Sequence, residues 1–222
     1  TTIPMPPLAP SLEQAGSDKL SSSNFTDDVS TLPCATPAAA ATHKFGTILD
    51  IVVPGGLIDE SILRRSDAIV QYVDCTSVVG TQSSTALAAV LPYGCPYARR
   101  ERKGSSSLCT PSSRARAGSI DIFSPNGTED TTRMPAVVNC NVQLKAGRPS
   151  AAQDDTVSQR LQWFSQCLDA LSSSLKALPI PWTCISFAQG LPGATPAEWL
   201  LYHSAINSFA VSNSDIQVVL VS

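Results

Sequence analysis

Charge of either sign is scarce in this 222-residue chain: Asp, Glu, Lys and Arg make up 15% of it and nearly cancel, leaving a net charge of −3 and an isoelectric point near 5.3. Nothing in that balance attracts nucleic acid or an anionic membrane, so neither is expected as a partner. Histidine is rarer still, with only His43 and His203, and the seven cysteines contain no Cys-x-x-Cys pair. A metal site is not expected, and no cofactor is implied. No apolar run approaches the roughly 20 residues needed to span a bilayer. The N-terminus has no basic segment leading into an apolar one, so no secretory signal is expected. With an odd, scattered cysteine set, that points to a reducing, cytoplasmic compartment. Asn24-Phe-Thr26 and Asn126-Gly-Thr128 match the glycosylation tripeptide and are discounted for the same reason. A nucleophile elbow is also missing, which argues against a conventional serine or cysteine hydrolase.

What is present is concentrated after Asp154. Val157, Leu161, Phe164, Leu168, Leu171, Leu175 and Leu178 alternate by four and three and predict one helical stripe over 154–178, opened by Asp154 and Asp155 and stopped by Pro179 and Pro181. Trp182 to Phe187 reads as a strand. Gly190-Leu-Pro-Gly193 is a turn, and Thr195-Pro-Ala-Glu198 opens a helix as a capping box with proline at its first position. Ile216 to Val221 is a near-continuous apolar run, as in a strand buried on both faces. Helix, strand, helix, strand in this order is an α/β layer.

Upstream, residues 1–42 are rich in Pro, Ser and Ala without periodicity and read as an extended arm ahead of a domain spanning 43–222. Lys44–Val53 reads as a first strand ending at Pro54-Gly-Gly56, and Ile58–Arg65 as a helical turn. Asp67–Asp74 reads as a second strand, 80–84 as a polar loop and Thr85–Leu91 as a short helix. Residues 93–118 are basic and serine-rich and read as a long insertion with little order. Ser119–Phe123 and Ala136–Val142 read as two strands joined by a turn at Pro125-Asn-Gly127.

Gly46-Thr-Ile-Leu49, Asp67-Ala-Ile-Val-Gln-Tyr-Val-Asp74, the Gly80 loop entering Ala86-Leu-Ala88, Val137-Val-Asn-Cys-Asn-Val-Gln143 and the Ile185–Trp199 segment together resemble a macrodomain. In that family a Gly-Asp-Ile segment is followed by Asp-Ala-Ile-Val-Asn and a glycine-rich loop entering a helix. The Gly190–Trp199 part is similar to the signature of the branch that removes ADP-ribose from acidic residues. The resemblance implies a three-layer α/β/α sandwich with a mixed sheet, preceded by the N-terminal arm, and ADP-ribose or a related nucleotide as ligand. It implies ligand contacts at Asp74, Gly80, Gln82, Asn139, Gly190 and Gly193. The family's adenine-contacting Asp falls on Thr47, with Asp50 close by. The branch's nucleophilic lysine falls on Leu144, leaving Lys145 beside it and Glu198 as the remaining acid; with these as the catalytic candidates, hydrolysis is expected to be weak or absent.

Each candidate also has a plain structural reading. Gly190 and Gly193 fit either an anion-binding loop or an ordinary strand-to-helix turn. Glu198 is fully explained as the third residue of its capping box, Trp199 as core, Lys145 as loop surface and His203 as a structural histidine. Asp74 and Asn139 lie at strand ends on the side where open sheets place ligands, or serve strand-end hydrogen bonds. An alternative function is a structural subunit that decorates a larger assembly such as a virus particle, with a protein partner held through residues 1–42.

Overall fold

β-branched and other apolar residues, unbroken for four to eight positions, give strands that survive only when covered on both faces. The computed structural model describes residues 45–125 and 134–222; the arm, both glycosylation tripeptides, His43 and most of the expected turn at Pro125 to Gly127 lie outside them. The strands are β1 (Ile48–Ile51), β2 (Ala68–Asp74), β3 (Ile120–Phe123), β4 (Ala136–Gln143), β5 (Cys184–Ala188) and β6 (Gln217–Val221). They form one sheet in the order β1-β6-β5-β2-β4-β3, parallel except for β3, which runs antiparallel to β4 at the edge.

The two-residue period of the central strands sends side chains to two cores. Val70 and Tyr72 of β2, Val138 and Cys140 of β4, and Ile185 and Phe187 of β5 face α3 (Val157–Lys176) and α4 (Pro196–Ser212), meeting Phe164, Leu171, Tyr202 and Ile206. Ile69, Val137, Cys184 and Val219 face the other way, against Ile62 and Leu63 of α1 (Glu60–Arg65) and Leu87 of α2 (Gln82–Val90). Helices thus cover both faces of a mixed sheet: a three-layer α/β/α sandwich. Phe164 sits edge-on to both Tyr72 and Tyr202, with ring centroids 5.7 and 5.4 Å apart, so α3, α4 and the sheet meet at one aromatic cluster.

Three local expectations are corrected. The long helix begins at Val157, where the side chain of Thr156 accepts from the amide of Gln159 at 3.2 Å. Asp154 sits before it in a left-handed conformation (φ 52°), and Asp155 is buried against Arg160 rather than placed in the first turn. Residues 80–84 are not all loop, because Thr81 caps α2 by accepting from the Ser84 amide and so starts that helix at Gln82. The basic insertion is built rather than loose. It carries short 3-10 turns at Pro92–Gly94, Tyr97–Arg99 and Pro111–Ser113. Arg100 pins it to the sheet by donating to the carbonyls of Asp74 and Ser77, each at 2.7 Å.

Candidate functional site

Because β1, β6, β5, β2 and β4 are parallel, their carboxyl ends share one edge, where an α/β sheet opens its crevice. A cavity of about 300 Å³ lies there, at the lower end of the range for small-molecule sites. Four segments wall it: Gly55–Ile58 after β1, Gln71 and Tyr72 of β2, the N-terminal half of α2 from Thr81 to Leu87, and Ala188–Gly190 with Pro192 after β5. Val221 and Ser222 close the side next to β1. The rim is tied by main-chain bonds: Gln189 donates to the carbonyl of Val221 at 2.8 Å, Ser222 to Ile51 at 3.1 Å, and Val53 to Ser222 at 3.0 Å.

Two glycines on the rim have left-handed backbones that other residues adopt only with strain, Gly56 (φ 55°) and Gly190 (φ 85°). A methyl group on either would meet nothing within 4 Å, so both backbones face open space. The third contributor is the start of α2, whose first amides helix geometry leaves unpaired and whose dipole favours an anion. Among the lining residues there is no Asp, Glu, Lys, Arg or His. The cavity therefore offers main-chain amides, hydroxyls, the amide side chains of Gln71 and Gln189 and apolar surface, but no carboxylate, imidazole, amine or thiol.

Of the residues singled out in the sequence, Gly190 lines this cavity. Gly193 (φ 81°) belongs to the same loop but faces the domain: a methyl there would collide with the carbonyl of Gly147. Gly80 lies on the other side of the α2 N-terminus, its Cα side against the ring of Tyr97 at 3.1 Å from an added methyl. Gln82 is exposed at the first position of α2 and does not line the cavity.

Asp74, 1% exposed, is wholly engaged by its own loop. Its carboxylate accepts from the amides of Thr76 (3.0 Å) and Ser77 (2.6 Å) and from the hydroxyl of Tyr97 (3.3 Å), and Arg100 lies 3.9 Å away. Burial, then the nearby Asp74 charge, pushes the Tyr97 phenol well above its usual value, which keeps it a donor to that carboxylate. Asn139, fully buried, bonds to Gln71 and to the carbonyl of Gly94 beneath the first 3-10 turn of the insertion. Neither residue reaches the cavity: the Asp74 carboxylate is taken up by Thr76, Ser77 and Tyr97, and Asn139, in the middle of β4 rather than at its end, shares the face of its register partner Gln71 but lies one strand further out, beneath Gly94.

The two catalytic candidates also fall outside it. Glu198 accepts from the Thr195 amide at 2.6 Å in the expected capping box, and Lys145 is exposed on the loop after β4. Gly46, from which the resemblance was read, stands at the opposite end of the sheet, where Phe45 donates to the Ser214 carbonyl. The glycine that reaches the crevice ahead of α1 is Gly56. Pro54-Gly-Gly56 signalled the turn, but not that β2, β5 and β6 would meet it around one cavity. Gln71, Thr81, Ser83 and Ser84 were missed as lining residues for the same reason.

A brace holds the second loop. Arg160, 1% exposed, donates to both carboxylate oxygens of Asp155 (2.5 and 2.7 Å), to the Gly147 carbonyl (2.7 Å) and to the Lys145 carbonyl (3.3 Å). Gly147 in turn packs on Gly193, and the Gln143 side chain donates to the Pro192 carbonyl. On the other side the Tyr72 hydroxyl donates to the Ala188 carbonyl at 3.0 Å. The Gly190–Gly193 bend is therefore fixed at both ends, with its middle left to the crevice.

The whole architecture is similar to the macrodomain of Thermus aquaticus DarG, at 14% identity over 79% of this chain and 99% of that one, with a TM-score of 0.50. The macrodomain of Mycobacterium tuberculosis DarG is 16% identical over 78% and 96%, TM-score 0.48, and the Oceanobacillus iheyensis macrodomain with ADP is 15% identical over 71% and 76%, TM-score 0.44. No protein-family model matches the chain, and no curated protein matches it significantly. The likeness is one of fold: the chain has the macrodomain fold.

Proposed function

We propose that residues 43–222 bind ADP-ribose, or a nucleotide related to it, in the crevice between the Gly190 bend and the N-terminus of α2, with residues 1–42 as an appended arm. The observation that carries this reading is the cavity at the carboxyl edge of the sheet, rimmed by two left-handed glycines with open space before them. Such backbones let a diphosphate approach without a side chain in the way; the Gly56 amide itself is given to the Val53 carbonyl, so the attraction comes from the Gly190 bend and the first amides and dipole of α2. The uncharged walls suit a nucleoside and a sugar. Asp74 does not repel the phosphates from within, since its charge is held by Arg100 and two amides outside the cavity.

The same walls argue for binding without turnover. Hydrolysis of a ribosyl ester needs an acid, a base or an activated nucleophile beside the bond, and the lining residues include no Asp, Glu, His, Lys or Cys to serve or to activate a hydroxyl. Calorimetry with ADP-ribose tests the reading: saturable binding at sub-millimolar ligand is expected, and no heat at several millimolar overturns it. Rapid release of ADP-ribose from a peptide modified on glutamate would overturn the second half. The assembly-subunit alternative rests on residues 1–42, which lie outside the described residues.

A further inference from the structure

Gln71 stands in the middle of β2 with its side chain on the α2 face, 6% exposed, in the wall of the crevice. Its Nε2 donates to Asn139 Oδ1 at 2.6 Å and to the Gly94 carbonyl at 3.3 Å, and Asn139 Nδ2 donates to that carbonyl at 3.1 Å. A carbonyl can only accept, so the orientation of both amides is fixed: turning either would set oxygen against oxygen at Gly94. This leaves Gln71 Oε1 buried and without a hydrogen-bond donor. Asn141 Oδ1 is the other such oxygen among the described residues, and Asn141 does not line the crevice. An orphaned buried acceptor asks for a partner from outside the fold.

We infer that Gln71 is the recognition residue of the crevice, accepting a hydrogen bond from a neutral donor on the bound molecule, either a ribose hydroxyl or an exocyclic base amine. The inference rests on the nucleotide reading and adds an orientation to it. The uncharged end of the ligand enters innermost, over β2, and the phosphates stay at the rim by Gly56, Gly190 and the start of α2. Nothing in the macrodomain resemblance assigns this position. The pattern there has Asn, and the extra methylene of Gln71 carries the amide further from the strand.

The test is a coupling measurement. The unmodified chain and Gln71→Met are titrated with ADP-ribose, with analogues lacking one ribose hydroxyl, and with the analogue in which hypoxanthine replaces adenine. One analogue is expected to bind the unmodified chain roughly tenfold more weakly than ADP-ribose, and the same pair to differ less than twofold in Gln71→Met. The analogue that shows this identifies the donor as sugar or base. Gln71→Asn, which keeps the amide but withdraws it, serves if Gln71→Met does not fold, with the same loss of discrimination expected. If every analogue loses equally in the unmodified chain and the variant, Oε1 faces a water and the inference falls while nucleotide binding stands. If the unmodified chain binds none of these ligands, both fall together.

Discussion

Removing the Arg160 side chain probes the brace behind the crevice. Arg160 and Asp155 have side chains 1% and 2% exposed, and the guanidinium holds the carboxylate through two bonds while also capping two carbonyls of the loop after β4. Arg160→Met fills the same space but strands a buried carboxylate together with the Gly147 and Lys145 carbonyls. Leaving one partner of a buried pair uncompensated costs about 3–5 kcal/mol. For a domain of this size that corresponds to a fall in Tm of roughly 10 °C. Urea unfolding followed by tryptophan fluorescence and circular dichroism measures it. The double variant Asp155→Leu/Arg160→Met removes both charges and is expected to be more stable than Arg160→Met alone, since the larger share of the loss comes from the orphaned charge. Arg160→Met within about 1 kcal/mol of the unmodified chain, or a double variant no better than the single one, would show that the buried pair does not brace the loop.

The glycines of the second loop separate strain from collision. Gly190→Ala is expected to cost about 1–2 kcal/mol from its backbone conformation alone and to weaken ADP-ribose binding. Gly193→Ala adds a clash with Gly147 and should be the less stable of the two by thermal melting. Gly104→Ala, also at positive φ (58°) with open space but far along the insertion, should show the strain cost with no loss of binding. Asp74→Asn retains an oxygen for the Thr76 and Ser77 amides; ADP-ribose affinity is expected to stay within twofold, and a large gain would show that the Asp74 charge faces the ligand. Burial pushes the Cys75 thiol from 9.0 up to about 12, and likewise Tyr202 from 10.0 to about 12. Between those values the unfolded chain has released protons that the folded chain still holds. Stability is therefore full below pH 9 and falls as pH rises toward 12, and unfolding free energies flat across that window would contradict the assignment. At pH 8, an alkylating reagent should label Cys95, which is half-buried, well ahead of Cys75, Cys109, Cys140, Cys167 and Cys184, all buried.

What the sequence made legible was what local chemistry decides. The stripe from Leu161 to Leu171 buries on one side of α3, and the Thr195–Glu198 capping box forms as written. The apolar Val218–Val221 run is covered on both faces. Its limits appear where a partner distant in sequence intervenes. Asp155 looked like a helix-start carboxylate, yet Arg160 draws it inward. Residues 93–118 look loose because their order comes from partners distant in sequence: main-chain bonds to residues 75–78, Arg100 reaching the Asp74 carbonyl, and Gly94 receiving two side-chain amides. The site was the least legible part. Asp74 and Asn139 read as polar residues at strand ends, where ligands gather, but Asn139 falls in the middle of β4, and the adjoining loop and the insertion give both of them protein partners. The lining residues Gln71, Ser83 and Gly56 come from a strand, a helix and a turn that only the β1-β6-β5-β2 order brings together.

Whether this edge of the sheet holds a nucleotide is read by backbone amide NMR of the nitrogen-15-labelled chain during titration with ADP-ribose. The amides of Gly56, Ser83 and Gly190 are predicted to shift together and to saturate at one ligand per chain. Unmoved spectra at several millimolar ligand, or shifts confined to the groove between α3 and α4 around Ser172 and Asn213, would contradict it.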